Sequence, residues 1–219
     1  MSSCVANFSS IRQAIDDCAK EVSRDPAEVR LLAVSKNADI SAIRELYDHG
    51  VRDFGENRAA VLQEKAANLP DDINWHFIGT LQSNKIRRIL QSANVIHSVD
   101  SLDLIKKLDR IAGEEGKTPE FYLEISVSGE ISKGGFSLEE ADLAVAAARE
   151  CRYAKLAGLM TMAPLAASHE YLVEIFSGLQ AIAKKHSISG LSMGMSGDFK
   201  EAISCGSTIV RVGTAIFGK

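Results

Sequence analysis

The run Leu31-Leu32-Ala33-Val34-Ser35-Lys36-Asn37 is an apolar stretch of strand length that ends abruptly in polar residues, and a segment of helical period, Ser41–His49, follows it. This strand-then-helix unit recurs along the chain. Further strand candidates are Asp53–Gly55, Trp75–Ile78, Val95–Val99, Phe121–Val127, Lys155–Met162, Leu191–Met195 and Ile209–Val212. Between them lie helical patterns at Asn57–Asn68, Asn84–Gln91, Leu102–Glu115, Leu138–Arg149, Ser168–Lys185 and Asp198–Cys205, with one more helix-like stretch, about Ala6 to Ser23, ahead of the first strand. Alternating strands and helices signify βα units and a parallel sheet. Ser101 and Ser137, each followed by acidic residues within a turn, read as helix N-caps.

Eight such units without a break in composition predict a single (β/α)8 TIM barrel spanning residues 1–219, with an extra N-terminal helix. An open doubly wound sheet is the alternative. It loses ground because no GxGxxG or GxxxxGK[ST] follows the first strand. With 219 residues, of which 46% are hydrophobic, the chain has enough material for one full-sized core. The net charge of -4 and scattered basic residues speak against a nucleic-acid face. Cys4, Cys18, Cys151 and Cys205 form no CxxC or Cys/His pattern, which argues for reduced thiols and against a structural zinc. The first ten residues lack the pattern of a signal peptide, and no long uninterrupted apolar run occurs, so a soluble, cytoplasmic protein without membrane contact is expected.

Barrel enzymes and binding proteins carry their polar sites where strands end at the C-terminal face. Here the strand ends supply Ser35-Lys36-Asn37, Gly55-Glu56-Asn57, His76 running into Gly79, Met195-Ser196-Gly197 and Arg211-Val212-Gly213-Thr214. Lys36 leaves a packed strand for a mouth expected to be partly desolvated, a setting that favours the free amine an aldehyde requires. A snorkelling surface lysine is the plainer reading. The loops after strands seven and eight often bind a phosphate in barrels, and Ser196-Gly197 and Gly213-Thr214 offer close main-chain approach and hydroxyl donors. The same residues serve equally as ordinary turns and caps. Arg211, inside an apolar run, needs an acceptor: either a carboxylate on a neighbouring strand or the ring nitrogen of a pyridoxal cofactor.

The runs Ala33-Val34-Ser35-Lys36, Phe54-Gly55-Glu56-Asn57, Trp75–Lys85, Gly158–Met162, Leu191–Ser196 and Val210–Gly218 resemble those of the pyridoxal phosphate homeostasis protein family. That family is similar in fold to the N-terminal barrel of alanine racemase. The resemblance spans nearly the whole chain. It implies pyridoxal 5'-phosphate (PLP) as cofactor, Lys36 as its Schiff-base lysine, and Ser196, Gly213 and Thr214 at its phosphate, beside the Gly197 of the same loop reading. It also implies Arg211 facing the pyridine nitrogen, with Asn57 and His76 lining the pocket. The segment Ser132-Lys133-Gly134-Gly135-Phe136 departs by a doubled glycine, and Lys133 reads either as a loop lysine, the plainer reading, or as a secondary, mobile amine near the cofactor.

Function divides into three readings. The first is a PLP carrier that buffers or delivers the cofactor, with PLP-dependent apo-enzymes as transient clients and no robust catalysis. It is favoured because the resembling racemase takes its second base, a tyrosine, from a C-terminal β-domain, for which this sequence shows no room after Val212. A monomer is expected on the same ground. The second is a minimal amino-acid racemase, with Lys36 as base and His76 or a water supplying the other proton. The third is a phosphosugar-binding barrel without PLP. It leaves Arg211 with no aromatic nitrogen to face.

Overall fold

The computed structural model describes residues 3–128, 134–164 and 166–218. Eight strands run in chain order as β1 (Arg30–Val34), β2 (Asp53–Glu56), β3 (Asn74–Phe77), β4 (Val95–Val99), β5 (Glu120–Glu124), β6 (Lys155–Met160), β7 (Gly190–Ser192) and β8 (Ile209–Val212). Each pairs in parallel with the next, and β8 returns to β1 through the register Leu32↔Arg211 and Ala33↔Val212, closing the barrel. The helices are α1 (Ser3–Glu21), α2 (Ile40–Asp48), α3 (Ala59–Asn68), α4 (Ile86–Leu90), α5 (Leu102–Glu114), α6 (Ala141–Arg149), α7 (His169–Lys185), α8 (Phe199–Ser204) and α9 (Thr214–Phe217). This is the (β/α)8 barrel that the sequence pattern predicts.

Helices α2 to α8 follow β1 to β7 in turn, but β8 is followed only by the single turn α9. The first helix fills the gap: α1 packs on α2, α8 and α9, and Asn7 donates to the Ile216 carbonyl. Its buried stripe of Val5, Ile15, Cys18 and Ala19 faces the barrel. The extra helix thus completes the outer ring.

Two hydrophobic clusters result from the strand period of two. Residues pointing outward from the strands, such as Phe54, Phe77, Phe121 and Leu159, pack against the helices in one extensive core. Residues pointing inward form a small cluster of Leu32, Val95, Tyr122, Met160 and Ile209. The barrel lumen is therefore filled, with polar side chains sharing it with apolar ones.

Several boundaries differ from the sequence expectation for local reasons. Strand seven stops at Ser192 instead of Met195, since the chain turns at Gly194 with φ +95°, a conformation that suits glycine. Strand five stops at Glu124 because Ser126 turns to pair with the Phe136 carbonyl. The third helix starts at Ala59, leaving Asn57 in the loop. Both predicted caps occur: Ser101 accepts from the Leu104 N–H, and Ser137 and Glu140 exchange side-chain to main-chain bonds in a capping box.

If α1 is part of the barrel wall, Ile15→Ala creates a cavity in a fully buried site and costs about 2–4 kcal/mol. Urea unfolding measures this; a loss below about 0.5 kcal/mol would make α1 an appendage.

Candidate functional site

The site begins with the way β1 ends. Ser35 donates its N–H and hydroxyl to the Gly55 carbonyl, at 2.8 and 3.1 Å, and its own carbonyl accepts from Lys65 Nζ at 2.7 Å. Lys65 in turn bonds Glu56 Oε1 at 3.0 Å in a buried ion pair. Three elements, β1, β2 and α3, are thereby tied together directly beneath Lys36. The root of that side chain is fixed, and among the described residues its tip makes no hydrogen bond or ion pair.

Around it opens a cavity of about 490 Å³ at the C-terminal mouth, within the size range of small-molecule pockets. Lys36, Asn57, Ser196, Gly197, Arg211, Gly213 and Thr214 all line it, with Ile78, Met162 and Leu172 among the apolar walls. Lys36 is exposed. The partly desolvated mouth expected from the strand pattern does not enclose the lysine, which reaches solvent at the cavity.

At one side the turns after β7 and β8 form an anion cradle. Among the described residues, the main-chain N–H groups of Ser196, Gly197 and Thr214 donate to no protein acceptor, nor do the Ser196 and Thr214 hydroxyls. Two helices, α8 and α9, begin there, so their N-terminal ends add positive potential. Gly213 packs so tightly on β1 that a Cβ would lie 2.9 Å from the Val34 carbonyl oxygen. A larger residue would push the cradle off the strand bearing Lys36.

Arg211 forms the floor. It is 6% exposed, and Nη1 donates to Ser192 O at 2.7 Å and Ser192 Oγ at 2.6 Å, while Nη2 donates to Thr161 O at 3.0 Å. Among the described residues it forms no ion pair. Burial lowers its pKa to about 10, opposed by Asp198 and Glu124, so it remains a cation at neutral pH. A guanidinium has five N–H groups. Among the described residues, Nε–H and one Nη2 hydrogen are left without a protein acceptor at a surface that lines the cavity.

His76 is not in the cavity, contrary to the sequence expectation. Its ring is 0% exposed, one layer down inside the barrel, where Nε2 meets Asp53 Oδ1 at 3.1 Å and Nδ1 meets His97 Nε2 at 2.9 Å. Asp53 opens β2 at the opposite mouth. Burial pushes both histidines below the ordinary imidazole range, that of His97 well below it. For Asp53, burial pushes the pKa upward but the bonds from His76 and Asn74 win, leaving it lowered. Lys133 lies outside the described residues.

Sequence reasoning also passed over Glu124, at the end of β5. Burial pushes its carboxyl up to about 7, with Asp100 adding and Arg211 opposing. An acid closing the apolar run Phe121-Tyr122-Leu123 at the strand's C-terminal end is the signal that could have marked it.

Comparison with known proteins sets this geometry in context. Residues 7–219 match the family model of the alanine racemase N-terminal domain. The pyridoxal phosphate homeostasis protein of Synechocystis is 42% identical over 201 residues, covering 88% of this chain and 92% of that one. The chain belongs to the pyridoxal phosphate homeostasis protein family. The Escherichia coli K12 member is 36% identical over 229 residues, covering 100% of this chain and 97% of its own. Among solved structures, PipY of Synechococcus elongatus with PLP bound superposes with a TM-score of 0.81 at 36% identity, covering 93% of this chain and 100% of PipY. Alanine racemase of Clostridium difficile shares the fold at a TM-score of 0.72 and 15% identity, and only 56% of its length is covered.

Glu124 sets a pH dependence. Its folded pKa of about 7 lies above the ordinary 4.5, so between those values the folded chain binds more protons than the unfolded one. The stability this contributes is present at low pH and is lost as pH rises through about 7. Glu124→Gln is expected to remove the slope, stabilising the protein at pH 8 relative to pH 5 by at most about 3 kcal/mol. Urea titrations at both pH values check it, and an equal effect at each would place the carboxyl in water.

Proposed function

We propose that this protein binds PLP in the cavity at the C-terminal mouth and acts as a carrier in PLP homeostasis. The observation that supports it best is the convergence of Lys36, the anion cradle and Arg211 on one cavity, in a family whose member PipY has been solved with PLP bound. Bound there, PLP supplies an aldehyde that Lys36 captures as a Schiff base: the amine nitrogen bonds to the aldehyde carbon and water leaves. The phosphate sits against the N–H groups of Ser196, Gly197 and Thr214, with Gly213 allowing the approach. Asn57 borders the ring, and the free N–H groups of Arg211 point to the pyridine nitrogen.

Two features favour carriage over turnover. A guanidinium donates to an unprotonated ring nitrogen and leaves the cofactor a weak electron sink. Besides Lys36, the titratable groups described in the cavity lining are Arg211 and Asp198, whose carboxyl accepts from the Met195 N–H. Arg211 stays a cation, and Asp198 is engaged by that main-chain bond. His76, one of the two proton sources in the racemase reading, beside a water, is sealed beneath the floor. Clients of such a carrier are apo-enzymes that need PLP.

Borohydride reduction of the purified protein followed by peptide mapping is expected to find pyridoxyl on the Lys36 peptide; its absence there would remove the assignment. Thr214→Val, which keeps the shape and deletes the hydroxyl, is expected to weaken PLP binding about tenfold. Spectrophotometric titration reads the affinity. Sustained racemisation of alanine that disappears in Lys36→Ala would refute the carrier reading.

A further inference from the structure

The barrel lumen contains a continuous polar file beneath the cavity. Arg211 Nη1 meets Ser192 Oγ at 2.6 Å, Ser192 Oγ meets His97 Nδ1 at 2.7 Å, His97 Nε2 meets His76 Nδ1 at 2.9 Å, and His76 Nε2 meets Asp53 Oδ1 at 3.1 Å. The file crosses from β8 through β7, β4 and β3 to β2. It starts on the floor of the C-terminal cavity and ends at the opposite mouth, where Arg30 stands 3.8 Å from Asp53. Ser192, His97 and His76 are each 0% exposed, so no water competes for these bonds.

The chemistry of the two ends assigns every hydrogen between them. A guanidinium can only donate and an ionised carboxylate can only accept. Asp53 therefore requires hydrogen on His76 Nε2, which leaves Nδ1 of the neutral ring bare. That bare nitrogen needs a donor, so His97 carries its hydrogen on Nε2. His97 Nδ1 then accepts the Ser192 hydroxyl hydrogen, and the serine lone pairs are turned towards Arg211. The opposite arrangement fails at both ends, since it sets the bare His76 Nε2 against the Asp53 carboxylate and leaves the serine hydrogen without an acceptor. Asn74 Nδ2 pulls the other way, since it stands 3.0 Å from His76 Nε2 and an amide donor there favours a bare nitrogen. It also donates to the same Asp53 oxygen at 2.7 Å, and the ionised carboxylate, the stronger acceptor, takes both the Asn74 and the His76 hydrogens. Tyr122 stacks on His97 with ring centroids 4.7 Å apart and 14° between planes, holding the ring in its slot.

We propose that Ser192, His97, His76 and Asp53 are positioning residues for Arg211, a one-way hydrogen-bonded file that turns the Ser192 oxygen to the guanidinium and so aims its free N–H groups at the bound ring. The inference rests on the PLP reading for its consequence and on the lumen geometry alone for the file itself. The file is also what makes a neutral pair of histidines useful. A charge on either ring would reverse a bond and put a hydrogen between two donors.

Two measurements separate these layers. In uniformly ¹⁵N-labelled protein without cofactor at pH 7, long-range ¹H–¹⁵N correlation is expected to show His76 and His97 neutral and both with hydrogen on Nε2. An imidazolium at either position, or hydrogen on His97 Nδ1, would overturn the file whatever the ligand. In the PLP-loaded protein, Ser192→Ala is expected to shift the visible absorption maximum in the same direction as Arg211→Gln and to weaken PLP binding about tenfold. Asp53→Asn lies at the half-exposed mouth and preserves the shape should Ser192→Ala fold poorly; it is expected to shift the maximum in the same direction by less. Spectra of Ser192→Ala and Asp53→Asn identical to wild type, beside a shifted Arg211→Gln, would overturn the positioning role. Absence of pyridoxyl on Lys36 would instead remove the PLP reading and leave the histidine assignment standing.

Discussion

A cation that cannot be neutralised at working pH is sealed near the end of β8, and much of the barrel's polar interior follows from having to solvate it. Removing a guanidinium from water costs several kcal/mol, and only well-placed acceptors offset this. Arg211 finds them in two strand-end carbonyls and one hydroxyl, from Ser192 and Thr161. Because these acceptors belong to the neighbouring turns after β6 and β7, satisfying the arginine also fixes where those turns start. The cradle made by Ser196 and Thr214 is carried on the same strands. A structural requirement and a binding geometry are thus met by one set of bonds.

On the far side of the cavity a second buried cation, Lys65, does comparable work from outside the barrel. Its bond to the Ser35 carbonyl and its pairing with Glu56 hold the end of β1 against β2 and α3. Lys36 is left as a mobile arm on a rigid shoulder. That division suits a side chain that must make and break a covalent link while its surroundings stay in place. The contrast between the two lysines is instructive, since the exposed one projects into the cavity and the buried one never reaches it.

Much of this was legible in the sequence because it depends on position along strands. Eight apolar runs separated by helical periods imply a barrel, and polar residues directly after a run must emerge at the C-terminal mouth. That reasoning placed Lys36, Asn57, Ser196, Gly197, Gly213 and Thr214 near one another, and Arg211 close by. It misplaced His76 because the two-residue period tells which way a side chain points but not at what depth in the lumen it sits. Three residues into β3, His76 points inward as read, yet it lies in a lower layer and belongs to Asp53 and His97. Lys65 was invisible for another reason. It occupies an amphipathic helix where a lysine is unremarkable, and its partner is on a strand nine positions earlier that meets it only after folding. Lys36 is more exposed than expected, because a hydrophobic pattern tells where a strand ends but not how deeply the next residue sits in the mouth.

The first helix occupying the last place in the outer ring has a consequence for how the molecule is made. Helix α1 rests on α8 and α9, and β1 can find its β8 partner only when residues 209–212 exist. Helix α1 can rest on α2 early, but most of its docking surface forms only once α8 and α9 are in place. Contacts between the two ends of the sequence are the slowest to form, since the whole intervening chain must be ordered first. Until then the apolar stripe of α1, with Ile15 at its centre, and the open edge of β1 stay uncovered. For this fold, closure of the ring is a late event, and the partly closed barrel that precedes it is the state most exposed to misassociation.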